Sequence, residues 1–412
     1  MESRRGINSA AMRHANATAV LDRVRRAGAC SKADLSRSLG LSPASTGMIV
    51  AGLQDKRLLE PVGAGESRGG RRPDLYRLRA SGLHACGIDV DRGGFDVLLL
   101  DIAGGETGLR HRGLPEGATF REFADLAAKV LEEMLHGGCV ESGRLAGVGL
   151  SVPGYVDARK GWIIRAPNLG WRDEDAVGPL RESLSQRIFQ GAEPSCDVLP
   201  FSVRLENEAM AAAIGEHWAG GCRDDEDFLC INVRSGIGAG IFVHGRPYRG
   251  AGGIAGEIGH VVVDPDGPAC GCGKTGCLET FVATRHLLAQ LGLAANPATA
   301  AEDLRMLLSS DDPQTRERTT KVIADASRRL GAAAAPLVNA LNPSRIVLGR
   351  DLSVYGGLLL PGLLVELTRD ALAESMATVE VSVTALGGRA SAIGAASLPL
   401  AAAFGRETEA AK

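Results

Sequence analysis

The chain has 412 residues, which at roughly 150 per domain suggests two or three domains. Hydrophobic residues make up 45% and charged residues 23%, so wholesale disorder is excluded, and the 54 glycines lack a collagen period. The net charge of −3 hides an asymmetry: residues 1–82 hold 15 basic and 7 acidic side chains, the remainder 31 and 42. A basic head on an acidic body points to a polyanionic partner for the head. There is no run of 18 apolar residues, and residues 1–20 contain no uninterrupted apolar core, so the expected compartment is the cytoplasm. Nine cysteines, six of them scattered, argue against a disulfide framework.

Residues 1–82 read as a winged helix-turn-helix domain. Asn16 to Ala27 places Ala17, Val20, Leu21 and Val24 on one helical face, and Gly28 ends it. Ser31 and Asp34 form a capping box for a second helix with Ala33, Leu35 and Leu39 inward. Gly40 supplies a left-handed residue, Leu41 plugs the turn, and Ser42 caps a third helix with Pro43 at its first position. That helix runs to about Gln54, with Ile49, Val50 and Leu53 as its buried side. The second helix of such a pair enters the major groove by its N-terminal residues. Ser42, Ala44, Ser45 and Thr46 are therefore the candidate contacts to operator DNA. The stretch EPVGAGESRGGRRPDLYRL then reads as two short strands around a wing, with Arg68, Arg71 and Arg72 directed at phosphates or the minor groove.

From Cys86 onward strands and helices alternate, the signature of an α/β class. Strands are expected at CGIDVD, FDVLLLDIAG, LAGVGLSVPG, DVLPFSVRLEN, FLCINV, GAGIFVHG, RIVLG and VEVSVTAL. Helices are expected at Phe120 to Leu135, Glu208 to about Ala219, Ser327 to Asn339 and Ala390 to Ala403, and no solenoid repeat is visible.

Three cysteines lie within eight residues, Cys270, Cys272 and Cys277, and His260 precedes them. One nitrogen and three sulfurs suit a closed tetrahedral Zn²⁺ site, whereas an iron–sulfur cluster wants a fourth cysteine. Gly267, Gly271, Gly273 and Gly276 let the backbone wrap tightly. With no open position, such a zinc folds the loop rather than catalysing. The competing reading is a reduced, metal-free thiol cluster.

The segment GEIGHVVVDPDGPACGCGKTGCLE, together with VRSGIGAGIFVHG and LENEAMAAAIGE, resembles the ROK family of sugar-responsive repressors and sugar kinases, in the family's order and spacing. The resemblance covers nearly the whole chain and extends to the N-terminal helix-turn-helix of the family's repressor branch, the xylose-repressor-like one. It implies an actin/hexokinase-like, ribonuclease H-like fold of two α/β lobes. The first lobe would span 83–200, with a C-terminal helix at 388–405 packing back on it, and the second 201–387, with the zinc loop and sugar pocket. It also implies a structural zinc on His260, Cys270, Cys272 and Cys277. By the same resemblance Asn207, Glu208, Glu257, His260 and Glu279 surround a monosaccharide, with Gly154 and Asn168 at the pocket wall. His260 would then hold metal by one ring nitrogen and a sugar hydroxyl by the other.

The nucleotide half departs from the family's kinases. Glu208 stands where they carry the Asp that acts as general base, and a displacement of about 1 Å is costly in such a role. Asp89 to Phe95 (DVDRGGF) replaces an approximate D-x-G-G-T, Arg234-Ser235 replaces Gly-Thr, and Arg350-Asp351 replaces Gly-Gly. These changes imply a sugar-responsive regulator without kinase activity, with homodimers or homotetramers as the expected assembly. The rival reading is an ATP-dependent sugar kinase with an appended DNA-binding domain, favoured by the retained glycines of Gly236 to Gly240.

Overall fold

The computed structural model describes residues 9–64, 72–138, 140–196, 198–234, 236–296 and 299–405. Arg68 and Arg71 lie outside them, as does Ser235.

The head consists of α1 (Ser9–Ala27), β1 (Cys30–Ser31), α2 (Lys32–Leu39), α3 (Pro43–Asp55), β2 (Leu59–Ala64) and β3 (Asp74–Leu78). The Ser31–Asp34 capping box forms, with Ser31 Oγ accepting from Asp34 N at 3.1 Å and Asp34 Oδ2 from Ser31 N at 3.3 Å. Gly40 closes α2 at φ 65°, a conformation that favours glycine. Ser42 caps α3 by accepting from Ser45 N at 3.1 Å. β2 and β3 pair antiparallel, and β1 adds a third strand beside β3. A two-residue strand has no periodicity to read, which is why the sequence shows only two.

The body opens with β4 (His84–Asp91), β5 (Gly94–Asp101), β6 (Glu106–Arg112), α4 (Phe120–His136) and β7 (Leu145–Val152). A small sheet follows, β8 (Tyr155–Asp157), β9 (Trp162–Ala166) and β10 (Trp171–Asp175), then α5 (Val177–Arg187), β11 (Ser202–Asn207) and α6 (Glu208–Trp218). The second lobe contains β12 (Phe228–Val233), β13 (Ile237–Val243), β14 (Arg246–Pro247), α7 (Glu279–Val282), α8 (Thr284–Gln290), α9 (Ala300–Leu308) and α10 (Pro313–Leu341). β15 (Arg345–Arg350), α11 (Leu352–Tyr355), α12 (Leu360–Asp370), α13 (Ala373–Met376) and β16 (Glu380–Val383) complete it, and α14 (Ala390–Ala401) returns to the first lobe. α10 starts fourteen residues before the expected Ser327, because Asp312 caps it and Pro313 occupies its first turn.

The two main sheets repeat one plan. Their orders are β11-β7-β4-β5-β6 and β14-β13-β12-β15-β16. Each has an antiparallel meander of three strands joined to two parallel ones. This is the duplicated α/β architecture expected of an actin/hexokinase-like body.

Two helices stand between the sheets. α6 packs on β12 and β13, α14 packs on β4 and β7, and α6 and α14 pack on each other. Every residue of α14 is buried, so it is apolar all round, as a central helix must be. The α6–α14 contact is backbone to backbone: a Cβ on Gly394 would sit 1.7 Å from Ala211 O, and one on Gly215 would sit 2.1 Å from Ala390 O.

The head is not strung on a linker. Val20, Leu21, Val24, Leu35, Val50 and Leu53 share one apolar cluster with Leu98 and Leu100 of β5, Ile393 and Leu400 of α14, Trp218 and Phe404. Arg144 of the body donates to Lys56 O at 3.0 Å and to Gly82 O at 3.4 Å.

Candidate functional site

On the head, Ser42 and Ala44 are exposed and Ser45 half-exposed at the start of α3. Thr46 is not with them. It is fully buried, accepting from Ser36 Oγ at 2.9 Å and donating to Ser42 O at 3.1 Å, so it ties α2 to α3 rather than reaching bases. The outward face continues instead through Met48, 70% exposed, and Ala51. The 44, 48, 51 spacing that carries this face is visible in the sequence, but a methionine there reads as core. Ile49, expected inward, is only half-buried. Arg72 is exposed beside β3.

The loop after β14 brings four metal-ligand side chains together. His260 Nδ1, Cys270 Sγ, Cys272 Sγ and Cys277 Sγ all lie within 4.8 Å of one another. His260 Nδ1 is 3.6 Å from Cys270 Sγ, and Cys272 Sγ is 3.7 Å from Cys277 Sγ. Tetrahedral geometry with bonds of about 2.3 Å to sulfur and about 2.0–2.1 Å to nitrogen requires separations of about 3.6 Å and about 3.8 Å, so the donor set fits zinc. Burial and the two neighbouring thiols push the Cys277 thiol up to about 12, a crowding that a bound cation relieves. Arg329 of α10 supports the loop, stacked 3.8 Å over Phe281 and paired with Asp264 at 3.3 Å.

Next to this loop is a cluster of hydrogen-bonding groups. His260 Nε2 faces Glu257 Oε2 at 4.0 Å, so the ring turns Nδ1 to the thiols and Nε2 to the carboxylate. Burial, then the charge of Glu279, pushes the Glu257 carboxyl up to about 7. Glu279 is held by Arg285 Nη2 at 2.8 Å. Asn207 caps α6, accepting from Ala209 N at 2.9 Å and Met210 N at 3.2 Å, and its Nδ2 donates to Gly154 O at 2.8 Å. This places Gly154 beside Asn207. Asn168 is half-buried in the β9–β10 turn, just beyond Ala166, whose backbone lies against Gly154. Tyr155 belongs to the same cluster, because burial and the charges of Glu257, Cys272 and Glu279 raise its hydroxyl. Tyr155 directly follows Gly154, but no motif or spacing in the sequence marks it.

Glu208 is placed elsewhere. Its carboxylate accepts from Arg350 Nε at 3.0 Å, and the groups that act on it are Arg350, Asp89, Arg234 and Asp91. Arg350 also donates to Asp89 Oδ2 and to Gly388 O. Asp89 Oδ1 accepts from Ser151 Oγ at 2.7 Å, and Arg234 pairs with Asp91 at 2.8 Å and with Asp89 at 3.7 Å. Arg350, Asp89 and Asp91 are each 5% exposed or less. One guanidinium faces two carboxylates, so burial and the charge of Asp89 keep the Glu208 carboxyl above the usual range. Arg350 itself sits at φ 60°, in the left-handed region. Its side chain thus crosses from the end of β15 to the end of β4, and the interior between the lobes is closed by the protein's own arginines.

At the opposite end of α6 the head is clasped. The Arg25 guanidinium of α1 lies 4.6 Å over the Trp218 ring and 5.6 Å from that of Phe404, and its Nη1 donates to Trp218 O at 3.3 Å. Trp218 ends α6, and Phe404 follows α14, so one side chain of the head touches both central helices. Among the described residues, no helix is long and apolar enough to cross a membrane.

The chain is similar to the xylose repressor of Caldicellulosiruptor bescii, with 27% identity over 88% of this chain and 90% of that protein. A crystal structure of a ROK family transcriptional regulator, a homologue of the E. coli Mlc protein, matches 96% of this chain and 98% of its own with a TM-score of 0.75 and 24% identity. A ROK family glucokinase from Streptomyces griseus, solved with glucose and AMPPNP, matches 76% of this chain and 98% of its own at a TM-score of 0.59 and 28% identity. The ROK family model matches residues 88–402, and this chain, with its head ahead of that region, belongs to the ROK family.

Proposed function

We propose that this protein is a sugar-responsive transcriptional repressor without phosphotransfer activity. The head binds operator DNA through the outward face of α3 and the wing. The body takes a monosaccharide or sugar derivative among Tyr155, Asn207, Glu257, His260 and Glu279, beside a structural zinc. Likeness to repressors across head and body together supports this reading.

The observation that carries it is Arg25. A side chain of the DNA-binding head grips the ends of two helices, one packed on each sheet, so relative movement of the lobes is felt at α1. A sugar shifts the equilibrium only by its differential affinity for the two lobe spacings. In a homodimer or homotetramer, that shift re-spaces two heads against half-sites about one helical turn, or a multiple of it, apart. The absence of kinase activity rests on Arg350. Its buried guanidinium holds Asp89 and Glu208, so Glu208, at the position of the kinases' general base, is not free to accept the sugar's hydroxyl proton.

The test joins two assays on the full chain. Gel shifts with DNA selected from a random pool, repeated with a panel of monosaccharides, should show a complex released by one sugar class. Coupled ADP release over the same panel should stay at background. Turnover abolished by Glu208→Ala would overturn the assignment in favour of the kinase, and no DNA affinity at low salt would remove the repressor.

A further inference from the structure

We propose a second ligand site, for a small phosphate-bearing molecule, in the cavity between the β8–β9 turn, β11 and the segment after β14. The cavity has a volume of about 280 Å³ and is lined by Arg159, Arg204, Glu206, Tyr248, Arg249 and Leu398, among others. None of the candidate sugar-binding residues lines it. The strand period explains the separation, since Arg204 and Glu206 project from one face of β11 and Asn207 from the other.

The charge balance points to an anion. Glu206 is 2% exposed and fully used: Oε2 accepts from Arg249 Nε at 3.1 Å, and Oε1 accepts from Asn207 N at 3.1 Å. Arg249 is therefore neutralised within the protein. The guanidinium groups of Arg159 and Arg204 have no acidic partner and no hydrogen bond among the described residues. Arg204 is half-buried, where a charge is poorly screened by water. Two uncompensated guanidinium groups lining one concavity supply the donors and the charge that a phosphate takes up. Pro247 and Leu398 provide apolar wall for a carbon skeleton, and Tyr248, 50% exposed, presents ring and hydroxyl at the rim. The volume lies just below the ~300–1,000 Å³ typical of ligand sites, which favours a small phosphorylated metabolite over a nucleotide.

Calorimetric titration of the full chain with glucose 6-phosphate, inorganic phosphate and glucose, at constant ionic strength, tests the site. Glucose 6-phosphate should bind the wild-type protein and bind at least tenfold more weakly to Arg204→Gln and Arg159→Gln. It should bind Glu279→Gln, altered in the sugar pocket, as it binds wild type. Inorganic phosphate matching glucose 6-phosphate would support the site with free phosphate as its source. Phosphate binding that survives both arginine variants, or that is lost only in Glu279→Gln, overturns the proposal, as does no binding of either phosphate at millimolar concentration. Arg159 lies on an exposed turn, so its variant remains informative should Arg204→Gln fail to fold.

Discussion

Arg350 decides more than any other single residue. It stands where the ROK kinases were expected to carry glycine, keeps a glycine-like φ, and fills the space with a guanidinium. Removing one partner of a buried ion pair leaves the others uncompensated, at about 3–5 kcal/mol. Arg350→Ala should therefore lower the melting temperature sharply. Glu208, whose carboxyl burial already raises, would lose the guanidinium that opposes that rise, and its pKa would climb further above the unfolded one. The folded state would then bind more protons than the unfolded state, so the deficit should shrink as pH falls from 8 toward 5. Melting curves across that range check the sign; a pH-independent deficit would place the cost elsewhere. The sequence marked position 350 as a departure but not its partners, which lie 261 and 142 residues away. Periodicity cannot report such distances. Thr46 shows the reverse limit: its place in the capping turn was legible, its inward direction was not.

Local signals governed how much of each element could be read. Capping residues located α2 and α3 closely, because a cap is a contact within three or four residues. The packing of α6 against α14 was invisible, since neither glycine carries a helix-ending context. Gly394→Ala makes a prediction at this scale. Helix propensity favours alanine by about 1 kcal/mol. The new Cβ would meet a backbone carbonyl that cannot step aside, and overpacking costs about 1–3 kcal/mol. Packing should win, so the melting temperature should fall. Arg25→Ala should instead leave sugar affinity and folding near wild type while weakening sugar-triggered release from DNA, as read by gel shift with and without effector. In the zinc loop, the donor spacing was legible because all four ligands lie within eighteen residues. Cys272→Ala should lower metal content well below one zinc per chain by elemental analysis and abolish the sugar response while DNA binding persists.

For the molecule as a whole, charge asymmetry was the most legible property and the fusion of head to body the least. The basic head was read from composition, and salt tests it: Arg72→Ala should reduce the slope of log affinity against log salt by about 0.9, the share of one phosphate contact. An unchanged slope would take Arg72 out of the interface. The apolar cluster shared by α1, β5 and α14 packs the head against the first lobe, so truncating the chain at residue 82 would expose that cluster rather than release an independent module. The crossing arginine also has a bearing on ancestry. Any lineage in which Glu208 came free of its guanidinium would meet a barrier at its first step. Losing Arg350 leaves Asp89 and Glu208 with only the more distant Arg234, a cost set against a total stability of only about 5–15 kcal/mol. The way to a free carboxylate there runs through paired substitutions, in which the arginine and one of its acids change together.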